Sequence, residues 1–144
     1  MTTVVFYISG HGFGHASRDL EVVHALRAIR PGMRVVIRTS VPPSFFHVSA
    51  HEPVEVQPAA IDTGVVQIDS LRLDEAETIR QARAFYDTFD ARATDEAQVL
   101  RDVKADIVIG DVPPLAFAAA ARAGLPSVLL GNFTWDWIYE GYPS

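Results

Sequence analysis

Two histidines, His11 and His15, stand inside the run Ser-Gly-His-Gly-Phe-Gly-His-Ala-Ser-Arg at residues 9–18. Imidazole is the side chain that exchanges protons near neutral pH. Gly10, Gly12 and Gly14 alternate with these rings and with Phe13, so the backbone can turn sharply and approach a ligand closely. Farther along, Asp111 directly follows the apolar run Ile107-Val108-Ile109-Gly110. A carboxylate next to a histidine makes a general base. It fixes the protonated ring nitrogen, while the other nitrogen takes a proton from a hydroxyl. Taken alone, Asp111 is equally well read as a helix cap, and the glycines as a tight turn.

Other chemistries fit these residues less well. A metal held by His11 and His15 needs a helix to aim both rings together, and the intervening glycines oppose that; no metal is expected. The loop reads Gly-x-Gly-x-x-His, so His15 occupies the place of the third glycine in a dinucleotide fingerprint. Arg38-Thr39-Ser40 ends the next apolar run where an acidic ribose ligand would stand, which leaves an NADP reading as a minor alternative. With no cysteine, disulfides, thiolate metal sites and a thiol nucleophile are excluded.

The elements that must carry these groups alternate. Residues 4–8, Val-Val-Phe-Tyr-Ile, have the character of a buried parallel strand, and Leu20, Val23, Leu26 and Ile29 mark the inner face of the following helix. A strand turning into a helix N-terminus places free N–H groups and partial positive charge at the mouth of a crevice. Asp19 and Glu21 read as a solvated first turn, and His24, His47 and His51 receive no role. Strands are expected at 33–39, 53–57, 106–110 and 127–131, and helices at 43–46 and 114–123. Ile79, Ala82, Tyr86, Phe89, Ala93, Ala97, Leu100 and Val103 step by three or four, giving one long helix or two abutting ones over 74–104. Residues 61–73 read mostly as loop. The alternation predicts an α/β, Rossmann-like, doubly wound parallel sheet with ligands at the carboxyl ends of the strands.

At 144 residues and 49% hydrophobic content the chain has the size of a single domain with its own core. A formal charge of −6 with scattered arginines argues against nucleic acid. No apolar stretch approaches the roughly 20 residues of a membrane span, and no signal peptide precedes the first strand; a cytoplasmic location is expected. Residues 133–142 are rich in aromatics, which suggests burial against something farther on and a chain that is part of a longer protein.

Four segments resemble the glycosyltransferase-like N-terminal region of plant L-arabinokinases and their bacterial relatives. They are Gly-His-Gly-Phe-Gly-His-Ala-Ser-Arg at 10–18, Asp62-x-Gly64-x-x-Gln67, Gly110-Asp111-Val112-x-Pro114, and Asn132-Phe133-Thr134-Trp135-Asp136-x-Ile138-Tyr139. More broadly, the chain is similar to the N-terminal half of GT-B glycosyltransferases that use UDP-sugars, and its Gly-His loop resembles the first loop of MurG-like enzymes. The resemblance implies an inverting transferase in which His15 deprotonates the acceptor and Asp111, thirteen residues before Gly124-Leu125, orients it. His11 is additional to the pattern, as the base itself or as an acceptor contact. It further implies that residues 10–14 and Arg18 face the donor diphosphate, and that Asn132, Trp135 and Asp136 line the acceptor pocket. A nucleotide-sugar is then a substrate, with no cofactor. The whole of 1–144 would be the acceptor-side domain, inactive alone, and its expected partner is a C-terminal donor-binding domain or a second copy. No kinase activity is implied. A non-catalytic sugar-nucleotide-binding or regulatory module is the alternative.

Overall fold

β1 (Thr3–Tyr7) leads into α1 (Gly14–Ile29), β2 (Arg34–Thr39) into α2 (Pro43–Ser49), and β3 (Glu55–Pro58) into α3 (Glu75–Asp87) and α4 (Phe89–Asp102). β4 (Ile107–Gly110), α5 (Pro114–Ala123), β5 (Ser127–Leu129) and α6 (Trp135–Tyr139) follow. This computed structural model describes residues 1–142, and the side chain of Asp136 also lies outside the described residues. The strands form one sheet in the order β3-β2-β1-β4-β5, with every pairing parallel. This is the expected doubly wound α/β architecture. The chain winds outward from β1 to β3, then returns to β4 on the other side of β1. The switch point therefore lies between β1 and β4, where such sheets bind ligands beyond the strand ends.

β1 is buried on both faces, as its unbroken apolar run requires. Val5 and Tyr7 face a layer containing Phe85, Leu100 and Ala116. Val4, Phe6 and Ile8 face the opposite layer, with Leu20, Val23 and Phe46. Each buried apolar side chain of this size contributes about 1.5–3 kcal/mol, so the central strand is the most firmly held part of the sheet.

The periodic stretch after residue 74 is two abutting helices. Asp74 caps α3 by accepting from the Glu77 N–H at 2.9 Å. Thr88, at φ −110° and ψ 14°, leaves helical geometry and ends it. Alanines 116, 119 and 120 on α5 are buried, and a Cβ on Gly110 would stand 2.9 Å from Ala116 Cβ. Small residues thus let α5 lie close against β4. Part of the aromatic tail packs on this domain: Trp135 is buried with Val65 and Val112, and Phe133, Ile138 and Tyr139 pack around them. Trp137, in contrast, is exposed. β5 stands at the sheet edge with Val128 and Leu129 about half exposed.

Candidate functional site

β1 and β4 are neighbours, so the residues just past their ends meet. Nδ1 of His15, in the first turn of α1, lies 3.1 Å from Oδ2 of Asp111. The contact is close but angled, short of a straight hydrogen bond. Asp111 is fully buried. It accepts the Ser9 N–H at 3.0 Å (Oδ1) and 3.2 Å (Oδ2), and the N–H of Val112 on Oδ1. Backbone donors from two strand ends thereby lock its carboxylate, which faces His15 in a fixed orientation. His15 keeps 12% of its side chain exposed and sits edge-on to Phe133. With Nδ1 turned to a carboxylate, an Nδ1–H tautomer would aim its donor at Asp111 and leave the Nε2 lone pair free.

α1 begins without a side-chain cap and without an acidic residue in its first turn. Its leading N–H groups are thus not neutralised by the chain's own carboxylates, a setting favourable to an anion. Gly12, at φ +78°, supplies the left-handed turn that brings the loop round. Gly10 passes so close to Ser40 that a Cβ there would overlap its hydroxyl. Gly14 opens the helix with free space where a side chain would be. Phe13 is exposed and stacks on Phe45 at 5.4 Å. An open hollow of about 360 Å³ lies over that pair, lined also by Pro42 and Val48. A second, of about 310 Å³, begins beside Asp111 at Val112 and runs to Phe117 and Leu129.

Several expected contacts are placed differently. His11 hydrogen-bonds through Nε2 to the Val65 carbonyl at 2.8 Å, and Gly64 packs against its ring. That nitrogen must donate to a carbonyl, so His11 secures the 61–67 loop and serves a different partner from His15. Trp135 is 2% exposed and donates its indole N–H to Asp62 at 2.8 Å. It is a wall of the scaffold with no open face for stacking an acceptor. Arg18 bonds the Asp19 carboxylate at 3.2 Å and the Leu130 carbonyl at 3.2 Å, so its guanidinium is directed inward. Asn132 is exposed near the crevice. Asp136 lies outside the described side chains. Arg38, the arginine of the minor NADP alternative, is engaged by Glu96 and Gln57.

Three residues of the cluster carry no site role in the sequence reading. Asp19 is buried, not solvated, on the side of α1 that faces Asp111. Its spacing of four from His15 puts both on one helix face, which is the signal that would have found it. Burial, together with the Asp111 carboxylate, pushes its pKa up to about 8, against the pull of Arg18. Asp62 is likewise raised by burial, opposed by hydrogen bonds from Ser9 and Trp135. Ser9 itself is fully buried. It joins Asp111 through its N–H and Asp62 through its hydroxyl. Among the described residues no cluster of metal-ligating side chains occurs, and no helix is long and apolar enough to cross a membrane.

No protein-family model matches the chain. The L-arabinokinase of Arabidopsis thaliana is 38% identical over 140 residues, covering 95% of this chain but 13% of that protein. Among solved structures, CalG4, the calicheamicin glycosyltransferase, superposes with a TM-score of 0.63 at 20% identity, over 99% of this chain and 38% of that one. A UGT transferase from Siraitia grosvenorii in complex with UDP gives 0.53 at 14% identity, over 91% of this chain and 24% of that one. The chain therefore spans a minor part of each of these three proteins. It has the Rossmann-like fold of a GT-B glycosyltransferase N-terminal domain, and its sequence kinship is to one stretch of L-arabinokinase.

Proposed function

From a domain of GT-B fold, akin in sequence to part of an L-arabinokinase, we propose the acceptor-side half of an inverting glycosyltransferase. His15 is the base. Its Nε2 takes the proton of an acceptor hydroxyl as that oxygen bonds to the anomeric carbon of a nucleotide-sugar. The bond from that carbon to the diphosphate breaks, and the diphosphate leaves with the electron pair from the opposite face, inverting the anomeric centre. Asp111 is the positioning residue: it holds the Nδ1–H tautomer and stabilises the imidazolium that forms. The uncapped start of α1, with the N–H groups of residues 12–16, faces the departing diphosphate. The nucleotide-sugar enters as a substrate and is not a resident cofactor. The one observation that carries this reading is the 3.1 Å contact between His15 Nδ1 and Asp111 Oδ2 at the switch point of the sheet.

The nucleotide itself falls to a second domain, which makes the chain inactive alone. Support comes from coverage: the glycosyltransferases it matches are about three to four times as long. UDP is the first nucleotide to test, since the Siraitia neighbour was solved with it. The experiment is a calorimetric titration with UDP, other nucleotides and their sugars, followed by transfer assays on the polypeptide that carries this chain and on its His15→Ala variant. Transfer that the variant loses, with its unfolding midpoint unchanged, supports the reading. Full transfer by the variant overturns it, and nucleotide binding without transfer favours a regulatory module.

A further inference from the structure

Asp19 is a second buried carboxylate behind the His15–Asp111 contact, and nothing in the step above uses it. It leaves 1% of its surface exposed. Its Oδ1 accepts from Arg18 Nε at 3.2 Å. Its Oδ2 is buried with no donor among the described residues. The Asp19 and Asp111 carboxyls lie within hydrogen-bonding reach of each other once a proton lies between them. Arg18 Nη2 stands 3.9 Å from Asp111 Oδ2, so one guanidinium spans the two carboxylates. The charged and titratable groups facing the pair are Arg18 and His15 from α1, and Asp62 from the 61–73 loop.

Two ionised carboxylates this deep, sharing one guanidinium, repel each other in a medium that screens poorly. A proton on Oδ2 of Asp19 turns that repulsion into a hydrogen bond donated to Asp111, and it supplies the orphaned atom with a partner. Oδ1 then still accepts from Arg18. We propose that Asp19 is a positioning residue that stays protonated at neutral pH, donating a hydrogen bond to Asp111 so that this carboxylate keeps one fixed negative oxygen on His15 Nδ1. This deepens the reading of His15 as the base. The Asp19–Asp111 pair then carries one negative charge in place of two, leaving the imidazole to gain and release the acceptor proton.

The test is a ¹³C carboxyl titration of aspartate-labelled protein, with Asp19 assigned from the signal missing in Asp19→Asn. The expected result is one carboxyl with its midpoint near 8, some four pH units above an ordinary aspartate. Asp19→Asn, which can still donate a hydrogen bond, should keep the His15 ring in its Nδ1–H form, while Asp19→Ala should mix the tautomers. An Asp19 midpoint near 4 overturns the proposal, because the pair is then doubly ionised against Arg18. So does a shifted tautomer in Asp19→Asn with none in Asp19→Ala. If Asp19→Ala does not fold, the titration of the wild-type chain decides alone. The titration needs no turnover, so failure of His15 as base and failure of Asp19 as proton holder are read separately.

Discussion

Trp135 donates its indole N–H to Asp62 at 2.8 Å, joining residues 73 positions apart. That bond ties α6 to the irregular 61–73 loop, and the same loop receives the His11 ring at the Val65 carbonyl. The wall of the crevice is thus built by pairing a half-buried carboxylate with a buried aromatic. Trp135→Phe keeps most of the apolar contact and deletes only the donor. It should cost about 1–3 kcal/mol by leaving the carboxylate short of a partner. A lower urea midpoint with an unchanged slope is the expected observation; an unchanged midpoint would mean that the bond contributes nothing.

Gly64 and Gly12 both have positive φ, +63° and +78°, but their surroundings differ. A Cβ at Gly64 would come within 2.9 Å of the His11 ring, whereas at Gly12 nothing lies within 4 Å. Gly12→Ala should therefore show backbone strain alone, about 1–2 kcal/mol. Gly64→Ala should lose more and should also displace His11 from Val65, visible as a shifted His11 ring resonance. Equal losses from the two would show that the His11 contact is loose.

Stability should depend on pH in two opposite ways. Asp19 and Asp62 have folded pKa values raised above their unfolded ones. The native state binds their protons more tightly, so their contribution is full below the unfolded value and is lost as pH rises through the folded one. Glu77, lowered to about 2 by Arg80 and Gln81, and Asp69, lowered by the Leu71 N–H and Arg72, act the other way. What they contribute is present above the unfolded value and disappears as pH falls through the folded one. Unfolding midpoints should therefore rise from pH 8 to about pH 5 and fall again below about pH 4. Asp19→Asn should flatten the upper limb. A limb as steep in that variant as in the parent would assign the pH dependence to another group.

Asp111→Ala removes the acceptor of the Ser9 and Val112 N–H groups as well as the partner of His15. Two buried N–H groups without acceptors should cost at least about 2 kcal/mol. The change should also free the His15 ring, so its ¹⁵N signals report the positioning role separately from the stability loss. Unaltered ring signals would contradict that role.

Much of this was legible from residue order. The glycine loop between β1 and α1, and Asp111 past β4, follow from apolar runs bounded by glycine, and parallel topology brings such strand ends together. Thr88 was not legible, since neither glycine nor proline marks the break and the three-four spacing continues through it. The family resemblance puts Trp135 in the lining of an acceptor pocket, whereas its ring is buried. Its burial depends on the 61–73 loop, whose path no periodicity encodes. Asp19 reads as solvated from its position near the helix start, though it lies past the first turn and its offset of four from His15 puts both on one helix face. Ser9 and Asp62 owe their place to contacts between distant segments, which spacing cannot express.

The central claim is that Asp111 holds His15 with its proton on Nδ1, leaving Nε2 free to act as the base. Long-range ¹H–¹⁵N correlation of the ring at neutral pH tests it directly. The account predicts a protonated Nδ1 and an unprotonated Nε2 for His15, with the preference lost in Asp111→Ala. A proton resident on Nε2 of the wild-type ring would contradict it.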